Sequence, residues 1–355
     1  MAKPTMADVA RRAGVDVSTV SRALNERTAR VLRPETVERV VRAATALGYR
    51  PNVLARGLRT QRSLTIGMVL PDLTNPFFPP IVRGAEAVLD AAGYTLILAS
   101  TDHDPDRERR VLHSLLGRQV DGLLLAASRL DEPPGELSAP VPEGMPVVLL
   151  NRTGPPDMPT VVADDAGGVA AVVAHLRRLG HEQVGSVAGP QHTSTGRARL
   201  QGFREACEAA GSWHPGLVEC AEVYWVEAGH RACARLLERL PDLTAVFAAN
   251  DLLAVGCLRA LRERGAAVPA DVSVVGFNDM MLVDLIEPAL TTVHVPQHEI
   301  GRQAALMMLR RLAGDPAAAD AGGSPRMVLP ATLVVRRSTG PAPARGARPG
   351  VPSVR

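Results

Sequence analysis

Beyond residue 63 the chain alternates, over and over, between apolar runs of strand length and amphipathic stretches of helix length. The strand-like runs fall at 64–70, 94–100, 122–127, 147–150, 184–188, 244–249 and 272–277, with helix-sized stretches such as 166–179, 197–210 and 251–264 between them. A strand that is apolar along its whole length must be covered on both faces, and a helix between two strands connects them in parallel. The spacing therefore predicts parallel sheets clad in helices, with enough units for two subdomains. In open parallel sheets, ligands bind beyond the carboxyl ends of the strands. The longest apolar runs fall far short of the roughly 18 residues of a membrane span, so no membrane segment is expected. The amino terminus runs straight into polar sequence without an apolar leader, which points to the cytoplasm.

The first 62 residues differ in character. They hold 13 basic side chains against five acidic ones, a net of +8; residues 336–355 add +5, and the stretch between carries −10. A basic head on an acidic body suits a chain whose head alone meets a polyanion, because each neutralised phosphate releases counterions. Charge alone fits a solvated basic face equally. The local pattern is more specific. Thr5, with Asp8 three residues on, signals the start of a first helix, which Gly14 ends. Asp16 is placed to cap a second helix that turns Val20, Ala23 and Leu24 inward and leaves Val17, Ser18, Ser21 and Arg22 outward. A third helix opens at Pro34 and stops at Gly48. Two helices joined by a tight glycine-bearing turn and braced by a third make a helix-turn-helix, whose second helix fits the major groove.

The segments Asp8-Val9-Ala10, Ala13-Gly14-Val15, Thr19-Val20-Ser21-Arg22-Ala23-Leu24-Asn25 and Leu47-Gly48-Tyr49-Arg50-Pro51-Asn52 closely resemble the DNA-binding head of the lactose-repressor (LacI/GalR) family of bacterial transcription regulators. Further matches recur in order through the body, among them Asn75-Pro76-Phe77-Phe78, Arg197-Ala198-Arg199-Leu200-Gln201-Gly202-Phe203, Ala249-Asn250-Asp251 and Gly276-Phe277-Asn278-Asp279. The resemblance spans about residues 5–339. It implies an α/β protein with a three-helix head at 1–50, a hinge helix at 51–62 and a body at 63–339 like the periplasmic sugar-binding proteins. The two parallel-sheet subdomains of that body would take about 63–162 with 296–326, and about 163–295 with 327–339. Three crossings would join them, and 340–355 would be a disordered tail. Two features depart from the family pattern: Asp16 stands in place of a serine, and the loop 26–33 is about two residues longer, with Arg33 where a capping serine is usual.

Carried over position by position, the resemblance assigns DNA contact to Thr5, Val17, Ser18, Thr19, Ser21, Arg22 and Asn25 of the head, and to Asn52, Ala55 and Leu58 of the hinge. Base reading falls mainly to Val17, Ser18 and Arg22. An arginine pairs bidentately with guanine O6 and N7, and a valine offers methyl contact to thymine. Leu58 would wedge into the minor groove from paired hinge helices. The effector cleft falls to Phe77, Phe78, Arg197, Tyr224, Asn250 and Asn278. Planar donors and amides beside aromatic faces suit a polyol or a sugar. Asn278 stands where many relatives carry an aspartate, and Asp251 reads as the cap of the helix that follows.

Enzyme signatures are missing from the sequence. There is no Gly-x-Gly-x-x-Gly after a strand, no Walker loop and no Gly-x-Ser-x-Gly elbow, and the four cysteines and nine histidines are too scattered for a metal or redox site. The expectation is a non-enzymatic cytoplasmic repressor without cofactor or metal, released from a near-palindromic double-stranded operator by a small-molecule inducer, a sugar by preference. Its tail lacks leucine heptads, which favours a homodimer over a tetramer. The alternative is a corepressor-dependent regulator that takes a nucleobase or a phosphorylated metabolite.

Overall fold

The computed structural model describes residues 4–24, 29–49, 62–126, 141–142, 144–154, 158–314 and 326–344. The chain divides into two compact units, Met1–Ser63 and Leu64–Arg355. Asn25, Asn52, Ala55 and Leu58, and with them the expected hinge helix, lie outside the described residues.

The first unit contains α1 (Met6–Ala13), α2 (Val17–Ala23) and α3 (Pro34–Leu47). A reciprocal capping box starts α1: the Asp8 amide donates to Thr5 Oγ1 at 3.3 Å, and the Thr5 amide donates to Asp8 Oδ2 at 2.9 Å. Those bonds hold the Asp8 carboxyl below its ordinary range. Gly14 and Gly48 follow α1 and α3 at φ 62° and 64°, a left-handed geometry that a side chain would strain. Each helix contributes one fully buried valine, Val9, Val20 and Val40, surrounded by alanines that let the helices approach closely. Burying each valine contributes roughly 1.5–3 kcal/mol. Asp16 stands at the cap position of α2, but its side chain makes no capping bond.

The second unit carries two parallel sheets. The first has the order β11-β5-β4-β3-β1-β2, built from β1 (Thr65–Leu70), β2 (Thr95–Ser100), β3 (Gly122–Leu125), β4 (Val147–Leu150), β5 (Thr160–Ala163) and β11 (Arg326–Leu329). The second has the order β7-β6-β8-β9, from β6 (Gly185–Ala188), β7 (Val218–Cys220), β8 (Ala245–Ala248) and β9 (Ser273–Val275). Central strands are buried on both faces, as their unbroken apolar sequence requires, whereas the edge strand β2 is half-exposed. Helices α4 (Phe78–Ala91) and α5 (Pro105–Gly117) belong with the first sheet. With the second go α6 (Asp165–Arg178), α7 (Ser194–Ala209), α8 (Val226–Arg239) and α9 (Asp251–Glu263). The chain returns through β10 (Thr292–His294) to α10 (Gln297–Leu312), which packs on α4 and on β3–β5. The two helices meet backbone to backbone. A Cβ on Gly301 would lie 1.8 Å from the Ile81 carbonyl oxygen, and one on Gly84 2.0 Å from that of His298.

Two boundaries differ from expectation. Residues Arg326–Leu329 pair in parallel with β5, from Arg326 opposite Thr160 to Leu329 opposite Ala163, so they belong to the first sheet and not to the second subdomain. The third crossing therefore falls after Leu329, before β12 (Thr332–Val334), which pairs antiparallel with β10. The expectation of disorder from residue 340 does not hold for the residues described there. Residues 340–344 are ordered because the Ala342 amide donates to the Leu179 carbonyl at 2.8 Å and the Gly340 carbonyl faces His181 at 3.1 Å. No helix among the described residues is long and apolar enough to cross a membrane.

Candidate functional site

In the head, α2 turns Val20 and Ala23 into the core, and the helical period leaves Val17, Ser18 and Arg22 exposed on the other side. Val17 is 46% exposed, a large apolar side chain offered to solvent. Thr19 and Ser21 are half-buried at the margins of this face, and Thr5 is exposed with its hydroxyl in the capping box.

In the body, the carboxyl ends of the strands converge on a narrow polar cleft. The first subdomain supplies Asn75, Phe77 and Phe78 after β1, His103 after β2, and Asn151 with Arg152 after β4. The second supplies Thr195 and Arg199 from the first turns of α7, Tyr224 before α8, Asn250 after β8 and Asn278 after β9. Asn75 Oδ1 accepts from the Phe77 amide at 3.0 Å, which fixes the turn that presents Phe77 and Phe78, packed edge to face with centroids 5.2 Å apart. Arg199 is held from three sides: Nε donates to Asp165 Oδ1 at 2.8 Å, an Nη to the Ala249 carbonyl at 2.6 Å, and the guanidinium lies 3.9 Å over the Phe277 ring. Arg152 donates to Thr195 Oγ1 and sits 5.9 Å over the ring of Tyr224, whose hydroxyl is 3.3 Å from that same Oγ1.

Asn278 is the most constrained of these residues. Its φ is 117°, its amide donates to the Val293 carbonyl at 2.8 Å, and its own carbonyl accepts from Gln297 Nε2 at 2.5 Å. Backbone held in a sparsely populated region persists only where its surroundings over-determine it. The side-chain Oδ1 is buried without a hydrogen-bond partner, an acceptor that the surrounding side chains leave unmet.

Of the sequence-based candidates, Phe77, Phe78, Tyr224, Asn250 and Asn278 come together here, and Arg197 does not. Arg197 is exposed, its Nε donating to the Gln191 carbonyl at 2.6 Å. Two residues along a helix rotate a side chain by about 200°, so Arg197 and Arg199 cannot share a face. Arg199 shares its face with Gly202 and Phe203 at i+3 and i+4, and that spacing was the signal available in the sequence. Asn75, His103, Asn151, Arg152 and Thr195 were also missed; Asn151 and Arg152 directly follow a strand, where ligands are expected.

Asn250 and Asp251 exchange expected roles in part. Asn250 caps α9, its Oδ1 accepting from the Leu253 amide at 2.8 Å, which leaves its amide nitrogen toward the cleft. Asp251 is fully buried and accepts from Thr292 Oγ1 and from the Met280 amide at 2.8 Å, tying the segment after Asn278 to β10. Burial pushes its pKa up to about 7, against those two hydrogen bonds. His181, 1% exposed, is a satisfied core histidine between Thr244, Ser273 and Gly340, its pKa lowered by burial.

A helix-turn-helix head on a two-sheet body with a polar cleft at the strand ends defines a DNA-binding transcription regulator. Residues 5–52 match the model of the bacterial regulatory proteins of the lacI family, and residues 173–339 match that of the periplasmic binding protein-like domain. The HTH-type transcriptional regulator DegA of Bacillus subtilis (strain 168) is 34% identical over 341 residues, 96% of this chain and 99% of DegA. Among solved structures, the complex of the transcriptional regulator CelR with cellobiose is 34% identical, with a TM-score of 0.70 over 94% of this chain and 99% of that one. The lac repressor dimer bound to operator and the anti-inducer ONPF is 26% identical, with a TM-score of 0.80 over 96% of this chain and 100% of that one. The chain belongs to the lacI family of transcription regulators.

Proposed function

We propose that this regulator is a repressor that binds a near-palindromic operator as a homodimer and releases it when a sugar-like inducer fills the cleft. The observation that carries the reading is the cleft itself: Asn278 offers an unpaired buried acceptor beside Arg199, Asn250 and the Phe77–Phe78 wall. Hydroxyls on the edge of a sugar match such amides and guanidinium groups, and the C–H face matches an aromatic ring. The likeness to a regulator complexed with cellobiose and to a repressor dimer held on operator supports it. In the head, Arg22 reads a guanine, with Val17 and Ser18 beside it. Thr5, Thr19, Ser21 and Asn25 support that contact, while Asn52, Ala55 and Leu58 serve the minor groove. For dimerisation, Met281, Leu282 and Leu285 present apolar side chains that are 74%, 57% and 75% exposed, a cluster that a monomer has no reason to leave in water.

The test is fluorescence anisotropy on a labelled operator fragment from the DNA upstream of the chain's own gene, titrated with protein in the presence of single sugars. The reading expects tight, salt-sensitive binding that one sugar reverses. A ligand that strengthens binding instead reverses the linkage to corepression, and equal affinity for operator and random DNA rejects sequence-specific regulation.

A further inference from the structure

The charges in the cleft do not balance. Among the described residues that line it, Arg152 and Arg199 bring two guanidinium groups, and no carboxylate lines it at all. Arg199 is answered just outside by Asp165 at 2.8 Å. Arg152, 4% exposed, has neutral hydrogen-bond and ring partners among the described residues, the Thr195 hydroxyl and the Tyr224 ring and hydroxyl, and feels the Asp165 carboxylate only through space. The four side chains that reach the same space from strand ends and could have carried an acid, Asn75, Asn151, Asn250 and Asn278, are amides. Carboxylates next to cleft-lining residues in sequence are engaged elsewhere: Asp251 with Thr292 and Met280, Asp279 with Arg336 and His294, and Asp72 with Thr74.

A buried cation without a counter-charge is costly, and breaking one half of a buried pair is among the larger destabilising changes known. A guanidinium cannot escape by losing its proton in a protein. Burial lowers the pKa of Arg152 and Arg199 adds repulsion, against Tyr224 and the more distant Asp165, so two guanidinium groups share one carboxylate and the site keeps an excess positive charge. A neutral polyol leaves that charge in place when the cleft closes around it. An anionic group removes it, because the planar fork of an arginine takes two oxygens of a carboxylate or phosphate at once. With the Asn278 acceptor still requiring a donor, the complementary molecule carries both hydroxyls and a negative charge.

We infer that the effector is an acidic sugar, a polyol bearing a carboxylate or a phosphate ester, whose anionic group pairs with Arg152. This rests on the effector-cleft reading given above and narrows its ligand class. It also separates Arg152, which recognises the ligand's charge, from Arg199, whose charge is already paired and whose part is to hold hydroxyls.

Isothermal titration of the full-length protein with matched probes tests it: glucose, ribose and cellobiose as neutral sugars, gluconate and glucuronate as acids, and ribose 5-phosphate and glucose 6-phosphate as esters. At least one acid or ester is expected to bind about tenfold or more tightly than its neutral parent, as a hydrogen-bonded charge pair implies. Arg152→Gln should abolish that advantage, so that acid or ester and neutral parent bind the variant with affinities equal to within about threefold. Asn278→Asp, which adds a carboxylate to the cleft without touching Arg152, should lower the preference for the acid in the same direction. Which of the two anion types binds distinguishes carboxylate from phosphate. Binding of a neutral sugar as tight as that of its acid, or no binding of any acid or ester, overturns the inference. In the latter case, operator release by a neutral sugar keeps the regulator reading, whereas Asn250→Ala and Arg199→Ala variants that still bind that sugar at wild-type affinity would move the effector out of the cleft.

Discussion

In the head, Arg22 lies exposed on a helix of seven residues, while in the body Arg152 and Arg199 are 4% and 3% exposed among aromatic rings and strand ends. The same side chain does different work in the two places. An exposed arginine interacts through a high dielectric, is screened by salt, and gains its effect by joining other cations along a polyanion. A buried one is barely screened and is costly to leave unpaired, so it favours a single geometry and a complementary ligand. The head therefore suits graded, salt-sensitive attraction with a few base-specific contacts, and the cleft suits discrimination between small molecules. Substitutions in the two regions should differ in kind as well as size.

The largest effect is expected at Arg199. Arg199→Ala removes the partner of Asp165, whose side chain is 11% exposed, together with the contacts to Ala249 and Phe277. A broken buried pair costs about 3–5 kcal/mol, so chemical denaturation should show the body destabilised by that amount and effector binding lost with it. A variant of unchanged stability would mean that Arg199 is not structurally engaged.

Next comes a pH effect from a buried acid. Asp251 ionises at about 7 in the folded chain, raised first by burial and secondarily by Asp279, with Arg199 and the two hydrogen bonds opposing. Unfolded, an aspartate ionises near 3.9, so folding takes up a proton between the two values. Stability is then highest at acid pH and declines as pH rises toward about 7, at about 1.4 kcal/mol per pH unit for one group. From pH 5 to pH 7 the fall attributable to Asp251 is on the order of 3 kcal/mol, and Asp251→Asn should flatten that part of the profile. Parallel profiles for wild type and variant would remove Asp251 as its source.

A smaller loss is expected in the head. Arg22→Ala should cost about 1–3 kcal/mol on operator and little on random DNA, measured by anisotropy at matched salt. An equal loss on both would reassign Arg22 to the phosphates. The smallest effect separates neighbours on one helix: Arg197→Ala, at an exposed position, should change effector affinity by less than about 0.5 kcal/mol.

That last contrast marks where the sequence was legible and where it was not. Alternating strands and helices, the capping signals at Thr5 and Gly14, and the three head helices follow from local pattern alone, because capping and periodicity act within a few residues. Arg197 and Arg199 are chemically identical and two residues apart, and only the phase of α7 against Gly202 and Phe203 decides which one enters the cleft. Asn250 and Asp251 are both good caps, and the choice between them came from distant partners, Thr292 and Met280, which no local window contains. The end of the first sheet was misplaced for the same reason, since Arg326–Leu329 joins β5 across about 160 residues of sequence. Arg152 follows β4 directly and lines the cleft, but nothing within a local window of sequence distinguishes it from a surface arginine.

On the function proposed above, occupancy of the cleft and the grip of the head on operator are thermodynamically coupled. Coupling between two binding sites is reciprocal: the factor by which effector weakens operator binding is the factor by which operator weakens effector binding. The most direct measurement is calorimetric titration of the tightest-binding sugar or sugar acid into the free protein and into the operator complex, beside the operator affinity with and without that ligand. Ligand should bind the operator complex more weakly than the free protein, by the same factor as the loss of operator affinity. Equal ligand affinity for free and operator-bound protein would contradict it.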